Sequence, residues 1–333
     1  MYYLFIFEIL FLTLSIIIPL LIAVAFFTLS ERKLMASIQR RVGPNVVGIY
    51  GLLQPLADGL KLIIKETIVP SRAEKILFLA APGYTFFLSL IPWSVIPFSK
   101  TSVFADVRLS LLFIFTCTSL GVYGVLVAGW ASNSRYAFLG AVRSAAQVIA
   151  YELPLGVIIS TIGLFVGSYN LIDIIMAQEN IWFLFPLFPL FLLFLIIILI
   201  ETNRSPSDLP ESESELVAGY TMDYSAVGFA MFFLGEYSNM LIMATMVVTL
   251  FLGGWYFPFT NIFLPELIFS IKVVVISFYF IWVRATVPRI RYDFLMNLGW
   301  KKLLPFSFGF FIFISSFLLS IEGLPSTAFF LLN

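Results

Sequence analysis

Histidine is absent from this chain of 333 residues, and cysteine occurs once, at Cys117. The chain therefore has no cysteine pair for an internal disulfide and no imidazole ligand, which excludes the usual ways of holding zinc, haem or an iron–sulfur cluster. Charged residues are also scarce, at 11% of the sequence against about 25% in soluble domains. With 61% hydrophobic residues and a mean hydropathy of +1.03, the composition predicts a polytopic membrane protein.

Eight stretches of the chain are long and apolar enough to be membrane spans. Each has about 20 residues with few or no charges, the length of helix that crosses a hydrocarbon core of about 30 Å. We predict an all-α integral membrane protein with one polytopic domain over residues 1–333, because no linker or internal repeat divides the sequence. No basic presequence precedes the first stretch. The predicted spans are 5–30, 77–99, 109–133, 144–167, 181–201, 224–252, 266–284 and 303–322.

Basic residues are concentrated on one side of this arrangement. With eight spans, one side carries the loops 31–75, 135–143, 202–223 and 285–302. Together with Arg284, these loops contain 16 of the 19 Lys and Arg residues. The positive-inside rule therefore places the four loops inside and both termini outside. We expect the polar chemistry of the chain on its inside face.

The third inside loop is acidic. The sequence ETNRSPSDLPESESELVAGYTMDY follows directly on an uncharged run and places Arg204 beside six carboxylates. Because a carboxylate costs about 2.5–3.5 kcal/mol at the centre of a span, a cluster at its mouth indicates proton handling, ion handling or docking of a polar partner. A solvated acidic loop is the alternative. Arg204 would pair with Glu201 if the helix continues past residue 201. The six carboxylates are Glu201, Asp208, Glu211, Glu213, Glu215 and Asp223.

Two further carboxylates, Glu152 and Glu236, lie within predicted spans. An ionised carboxylate is unfavourable in hydrocarbon, so each should face the bundle interior or a cationic partner. The available cations are Arg143, Arg204 and Lys272. Lys272 has the alternative of extending to the outer interface, which is about one turn away. A chain of such carboxylates could pass protons; the alternative is that each one only pins two helices together.

The first inside loop combines charge with an amphipathic helix. The sequence ERKLMASIQRRVGPN ends the first span with Glu31, Arg32 and Arg41, and its Gly-Pro-Asn then breaks the chain. In the following GLLQPLADGLKLIIKE, charged side chains recur at i, i+3 and i+7, opposite the apolar ones. This segment is too short and too charged to span. We predict that it lies along the membrane interface beside a lateral opening for a lipid-like ligand; for the arginines alone, a topology signal is the alternative.

Six segments of the chain resemble one family. From about Ser30 to Pro305, and in the same order, they are similar to subunit 1 of proton-translocating NADH:ubiquinone oxidoreductase, respiratory complex I. Two positions depart from the family pattern. Ser207 stands where Phe is usual, which should alter packing in the acidic loop, and Asp223 stands where Glu is usual, which keeps the charge. The segments are ERKLMASIQRRVGPNVVGIYGLLQPLADGLKLIIKE, NSRYAFLGAVRSAAQVIAYELPLG, ETNRSPSDLPESESELVAGY, FFLGEYSNM, WVRATVPRIRYD and LGWKKLLP.

The resemblance implies two groups of functional residues. In this family the subunit lies where the membrane arm meets the peripheral arm, forms a ubiquinone channel with two peripheral subunits, and couples quinone reduction to proton translocation. The residues implied to line or frame the channel are Glu31, Arg32, Arg41, Asp58, Gly59, Arg204, Phe229, Phe232, Arg284 and Arg289. Those implied for the coupling pathway are Glu152, Glu201, Asp208, Glu211, Glu213, Glu215, Asp223 and Glu236.

Partners and location are also implied by the resemblance. Ubiquinone is the expected substrate, and its electrons would come from FMN and iron–sulfur clusters on partner subunits, since this chain has no centre of its own. The expected partners are the cluster-bearing and quinone-site subunits of the peripheral arm, the antiporter-like subunits of the membrane arm and membrane lipids, with no nucleic acid. The 38 phenylalanines and many isoleucines favour an organelle-encoded gene and the mitochondrial inner membrane. A bacterial plasma membrane is the second expectation, and a plastid relative is the third.

Functions of other classes fit the sequence less well. A secondary transporter would also use carboxylates within its spans, but such proteins commonly contain inverted repeats and paired broken helices, which we do not find. A cytochrome b-like quinone enzyme needs axial histidines, and the chain has none. A structural anchor would not need charged residues within so many spans.

Overall fold

The computed structural model of this chain describes residues 2–208, 219–257 and 264–321, with side chains from Phe11 onward. Throughout these residues the backbone forms helices and turns, with no β-strand. The predicted all-α class is therefore confirmed. Within the described residues, the α-helices are α1 Tyr2–Ile38, α2 Gln54–Ile64, α3 Lys75–Leu90, α4 Ser110–Ala131, α5 Arg135–Val166, α6 Leu171–Met176, α7 Phe188–Glu201, α8 Ala226–Phe251, α9 Pro265–Thr286, α10 Tyr292–Leu298 and α11 Leu304–Ser320.

Seven helical segments within the described residues are long and apolar enough to cross a membrane. This number and the composition identify a multi-pass membrane protein. A helix lies in each of the eight predicted windows, but the one in the window 181–201, α7, has only 14 residues. The eighth crossing and the sidedness of the loops stay predictions. The seven segments are Phe11–Ile38, Lys75–Ser94, Ser110–Ala131, Arg135–Val166, Ala226–Phe251, Pro265–Thr286 and Tyr292–Ser320.

Two prolines explain why α7 is short. The α-conformation is disfavoured for the residue before a proline, and a proline within a helix lacks the N–H that the helix needs. Residues 183–187, which include Pro186, form turns, and the helix begins at Phe188 with Pro189 in its first turn. At a rise of 1.5 Å per residue, 14 residues extend about 21 Å, which is less than the hydrocarbon core of about 30 Å.

The other helices pack around α5 and α8. Helix α8 contacts α1, α2, α3, α6, α7 and α9, while α5 contacts α4, α6, α7 and α11. Every residue of α8 from Met240 to Phe251 is buried. Small residues bring α4 and α5 together, since a Cβ added at Gly129 would lie only 2.3 Å from the Cβ of Ala141. Close approach at small residues is typical of membrane helices, in which dispersion forces and backbone contact replace the hydrophobic effect.

Helices α1 and α5 extend well beyond their predicted windows, and the extension of α1 holds two of the expected channel residues. Helix α1 continues to Ile38, so Glu31 and Arg32 lie on a continuous helix and not in a loop. Helix α5 begins at Arg135, nine residues before the predicted window, and Ser134 caps it by accepting a hydrogen bond from the backbone N–H of Ala137.

Helix α2 has the predicted amphipathic pattern. It packs against α1 and α8, while Leu56, Leu60, Ile63 and Ile64 are exposed. Exposed aliphatic residues on one face are typical of a helix that lies in a membrane interface. The helix is confirmed, and its position at the interface stays a prediction.

Candidate functional site

A charged cavity of about 430 Å³ opens between α1, α8 and α9. Four arginines and one glutamate line it, so its charge is predominantly positive. Five of the ten residues expected at the quinone channel lie here together, although up to 253 positions separate them in the sequence. We refer to this site as the cationic cavity, and its lining residues are Glu31, Arg32, Met35, Arg41, Pro44, Arg204, Phe233, Tyr237 and Arg284.

Glu31 is the central acceptor of this cavity. It is 7% exposed, and its carboxylate forms an ion pair with Arg284 and accepts a hydrogen bond of 2.5 Å from the hydroxyl of Tyr237. The guanidinium of Arg204 lies 4.4 Å from the centre of the Tyr237 ring. Helices α1, α8 and α9 and the segment after α7 therefore meet in one polar cluster, in which charge-assisted contacts hold each member.

The other five expected channel residues lie outside the cavity lining. Asp58 on α2 pairs with Arg32 at 2.5 Å, which connects the amphipathic helix to the cavity rim. Gly59 lies on α2 with open space around the position of a side chain. Arg289 pairs with Asp208 at 3.1 Å. The remaining two, Phe229 and Phe232, lie on α8, where Phe229 packs against Phe233 with ring centres 4.4 Å apart.

A second cavity, of about 90 Å³, lies within the bundle on the other side of α8. Its walls come from α3, α4, α5, α7 and α8 and carry two of the expected coupling carboxylates, Glu201 and Glu236. Phe232 also lines it, so that residue belongs to this cavity and not to the cationic one. Apolar residues of α3, α4, α5 and α8 form much of the remaining lining. Its hydroxyl and amide side chains are those of Thr85, Ser89, Thr118, Thr202, Asn203, Tyr220 and Asn239. We refer to this second site as the acidic chamber.

The chamber carboxylates differ in their contacts. Glu236 accepts a hydrogen bond of 2.7 Å from the hydroxyl of Tyr220. Among the described residues, Oε2 of Glu201 is buried without a hydrogen-bond partner, and so is Oδ1 of Asn203. Glu152, on α5, accepts a hydrogen bond from Ser119 and is close enough to Glu201 to repel it electrostatically. Three of the expected carboxylates thus lie in or beside one polar space.

The remaining carboxylates of the acidic loop are distributed differently. Asp208 pairs with Arg289, and Asp223 has one buried oxygen, Oδ2, without a partner among the described residues. Glu211, Glu213 and Glu215 lie outside the described residues.

The expected cations Arg143, Arg204 and Lys272 each have a contact of another kind, and the guanidinium of Arg143 lies 5.6 Å from the centre of the Tyr292 ring. Helix α7 ends at Glu201, so the condition for an i, i+3 pair with Arg204 is not met. Lys272 donates to the backbone carbonyls of Leu252, Gly254 and Tyr256 at 2.6–2.9 Å. With these contacts the lysine caps the C-terminal end of α8, and its extension to the outer interface stays a prediction.

Buried polar contacts fix the segment between the two cavities. The Nε2 of Gln147, on α5, donates to the carbonyls of Ile200 at 2.9 Å and Ser207 at 3.1 Å. Ser207 is fully buried, with its hydroxyl 2.9 Å from the carbonyl of Arg204. The serine that stands where phenylalanine is usual thus makes a polar contact, and its effect on packing in the acidic loop stays a prediction. Sequence patterns did not single out Gln147, Phe233, Tyr220 or Tyr237. Gln147 and Phe233 lie among small and apolar residues typical of a packed helix, and the two tyrosines carry no charge that a charge pattern could detect.

The family of the chain follows from comparison with other proteins. A sequence model described as NADH dehydrogenase matches residues 11–315. The chain belongs to the NADH dehydrogenase family. Within this family it is 54% identical over 315 residues to NADH-ubiquinone oxidoreductase chain 1 of Chondrus crispus, an alignment that covers 93% of this chain and 97% of that relative. The resemblance to subunit 1 of complex I is therefore confirmed.

Plant and bacterial members of the NADH dehydrogenase family are about equally similar. NADH-ubiquinone oxidoreductase chain 1 of Arabidopsis thaliana is 54% identical over 316 residues, with 94% of this chain and 97% of the relative covered. An NADH-quinone oxidoreductase subunit of Paramagnetospirillum magneticum is 53% identical over 315 residues, with 94% and 92% covered. The roles of the individual channel and coupling residues stay predictions.

Proposed function

We propose that this chain is a core membrane subunit of NADH:quinone oxidoreductase that forms part of the ubiquinone channel and couples quinone reduction to proton translocation. The names of its relatives support the enzyme and the class of acceptor. In this proposal the cationic cavity receives the quinone headgroup, and the acidic chamber responds to the charge of the quinone.

The lining of the cationic cavity suits a quinone. Met35, Phe233 and Tyr237 offer apolar and aromatic contact to the ring, while Arg204 and Arg284 can stabilise the negative charge that the headgroup gains before it is protonated. Glu31 offsets part of the positive charge when no ligand is bound.

One observation carries the coupling part of the proposal: the two cavities share their walls. On α8, Glu236 lines the acidic chamber and the next residue, Tyr237, lines the cationic cavity. At the end of α7, Glu201 lines the chamber, and three residues later Arg204 lines the cationic cavity. A unit charge about 10 Å away, at an effective dielectric constant of about 20, changes the energy of a carboxylate by roughly 1.7 kcal/mol. A change of charge on the quinone is therefore large enough to alter the protonation of the chamber carboxylates.

The acidic chamber has room for water and groups that bind it. A space of about 90 Å³ exceeds the roughly 10–15 Å³ that one water needs, and the partnerless oxygens of Glu201 and Asn203 are suitable acceptors. Water and carboxylates together form a path along which protons can move.

The rest of the proposal concerns partners and location. Electrons would reach the quinone from FMN and iron–sulfur clusters on partner subunits. The chain would contact the peripheral-arm subunits on its inside face and antiporter-like subunits within the membrane. We propose the mitochondrial inner membrane as its location, with the bacterial plasma membrane as the alternative, since bacterial relatives are about as similar as eukaryotic ones.

Glu201→Gln tests the coupling role, because it keeps the shape of the side chain and removes its titration. We expect the complex to assemble and to oxidise NADH with a soluble artificial acceptor at the normal rate. The rates of quinone-linked turnover and of proton translocation, measured in sealed membranes, should be mostly lost. The matched control is Glu179→Gln, which changes an exposed glutamate outside both cavities and should leave all three rates unchanged. Normal quinone reduction with normal pumping in Glu201→Gln would contradict the coupling role.

A further inference from the structure

Tyr220 is placed to control the orientation of Glu236. Its hydroxyl donates to Oε1 of Glu236 at 2.7 Å, and both side chains line the acidic chamber. A hydroxyl that donates to a carboxylate forms one of the stronger neutral–ionic hydrogen bonds, and its geometry is directional. The position of the carboxylate in the chamber therefore depends on the position of this phenol.

The backbone of Tyr220 is held by close contact with α5. Tyr220 lies in the short helical turn Gly219–Thr221, which lies directly over Gly140. A Cβ added at Gly140 would lie 2.8 Å from the Cα of Gly219 and 3.0 Å from the backbone nitrogen of Tyr220. Gly219 has a φ of +58°, which is a conformation that glycine adopts readily. Two glycines thus allow an approach that no larger residue at position 140 would permit.

The ring of Tyr220 is held by aromatic packing. It is 3% exposed and lies edge-on to Phe232, with ring centres 5.4 Å apart. Phe232 in turn packs edge-on against Tyr224 at 5.0 Å, and Tyr224 stacks on Phe78 of α3 at 4.1 Å. Edge-on and stacked pairs of this kind stabilise a defined ring orientation. The hydroxyl therefore reaches Glu236 from a fixed direction.

We propose that Tyr220 is a positioning residue of the coupling pathway, which holds the carboxylate of Glu236 in the acidic chamber and so sets the efficiency of proton transfer. This inference rests on the proposed function. Because Tyr220 belongs to the segment that follows the acidic loop, it connects the position of that segment to a carboxylate within a span. A displacement of the Gly219–Thr221 turn would release Glu236.

Tyr220→Phe removes the hydroxyl and keeps the ring that packs on Phe232. We expect the variant complex to assemble and to oxidise NADH with an artificial acceptor normally, while the number of protons translocated per quinone reduced falls several-fold. Tyr224→Phe is the matched control, because it removes a hydroxyl from the same aromatic cluster, where that hydroxyl lies 3.5 Å from the carbonyl of Ala128 and makes no contact with Glu236. Its ratio of protons to quinone should equal that of the unmodified enzyme.

Glu236→Asp provides the second measurement. It keeps the charge but withdraws the carboxylate by one methylene, out of reach of the Tyr220 hydroxyl. We expect the same fall in the ratio of protons to quinone. The double variant with Tyr220→Phe should have the same ratio as Glu236→Asp alone, because both changes remove the same hydrogen bond, the one between Tyr220 and Glu236. If Tyr220 had only a structural role, Tyr220→Phe would lower the ratio further in the double variant than Glu236→Asp does alone. If Tyr220→Phe prevents assembly, Glu236→Asp with a normal ratio still overturns the inference.

The two proposals fail in different ways. If Glu236→Gln retains normal proton translocation, Glu236 has no role in coupling, which overturns the proposed function at this residue. If Glu236→Gln abolishes translocation while Tyr220→Phe keeps a normal ratio, only the role of Tyr220 is overturned.

Discussion

Glu31 connects three helices through contacts of its carboxylate alone. Its partners Tyr237 and Arg284 lie 206 and 253 positions away in sequence. The family resemblance pointed to Glu31 and Arg284 as channel residues, but their meeting depends on how α1, α8 and α9 pack. The residue types were thus predictable from the sequence, and the cluster was not.

The sequence did not predict which phenylalanines of α8 line which cavity. Phe229 and Phe232 were expected at the channel, yet Phe233 lines the cationic cavity and Phe232 lines the acidic chamber. The part of α8 that holds these three phenylalanines is apolar on most of its sides and only partly buried. Such a helix has no polar face to define its rotation, so its sequence cannot tell which aromatic residue faces which cavity.

Glu31→Gln should weaken quinone binding. Without the carboxylate, the positive charges of Arg204 and Arg284 lose a shared counter-ion and repel each other more strongly. Since a hydrogen bond to a charged group contributes about 1.5–3 kcal/mol, we expect the apparent KM for quinone to rise on the order of tenfold. Steady-state kinetics with a soluble quinone would measure this. The control is Glu66→Gln, at an exposed position after α2, and a KM in Glu31→Gln equal to that of this control would refute the role of Glu31.

At the scale of elements, apolar windows predicted where helices occur better than where they end. The windows missed the first nine residues of α5, because Arg135 and Arg143 at the two ends of this stretch lower its hydropathy. The window 181–201 overestimated α7, because hydropathy ignores the backbone effects of Pro186 and Pro189. The second error concerns local backbone chemistry, to which a hydropathy window is insensitive.

The contact of α5 with the turn before α8 gives a prediction for Gly140→Ala. A methyl group there meets backbone atoms that cannot move aside cheaply, and overpacking of this kind costs about 1–3 kcal/mol. We expect less assembled complex on a native gel and a lower quinone-linked rate per complex. Gly83→Ala, on α3, is the control, because it meets nothing within 4 Å. Equal amounts and rates for the two variants would show that this contact is not tight in the assembled protein.

The arrangement of helices across the membrane gives a further prediction. The basic loops indicate that Arg289 lies inside, whereas the loop that contains Lys100 lies outside. A protease site inserted beside Arg289 should be cleaved only from the inside of sealed vesicles, and one beside Lys100 only from the outside. Cleavage at both sites from the same side would rule out the eight-span arrangement.

For the whole molecule, composition and six sequence segments were sufficient to predict the class and the family. They could not predict that the shared walls of α8 and of the segment after α7 separate a cationic cavity from an acidic chamber. That arrangement depends on the rotation of α8 and on the end of α7, which packing and proline decide. The proposed coupling depends on this arrangement of two cavities with shared walls.

The central claim is that a change in quinone charge alters the protonation of the chamber carboxylates. Infrared difference spectra between the quinone and quinol states of the intact complex measure this directly, because protonated and ionised carboxyl groups absorb at different frequencies. We predict a carboxyl signal on quinone reduction that is absent in Glu201→Gln or in Glu236→Gln, is retained in Glu179→Gln, and disappears when an inhibitor occupies the quinone site. A carboxyl signal that is identical in all three variants would contradict the account.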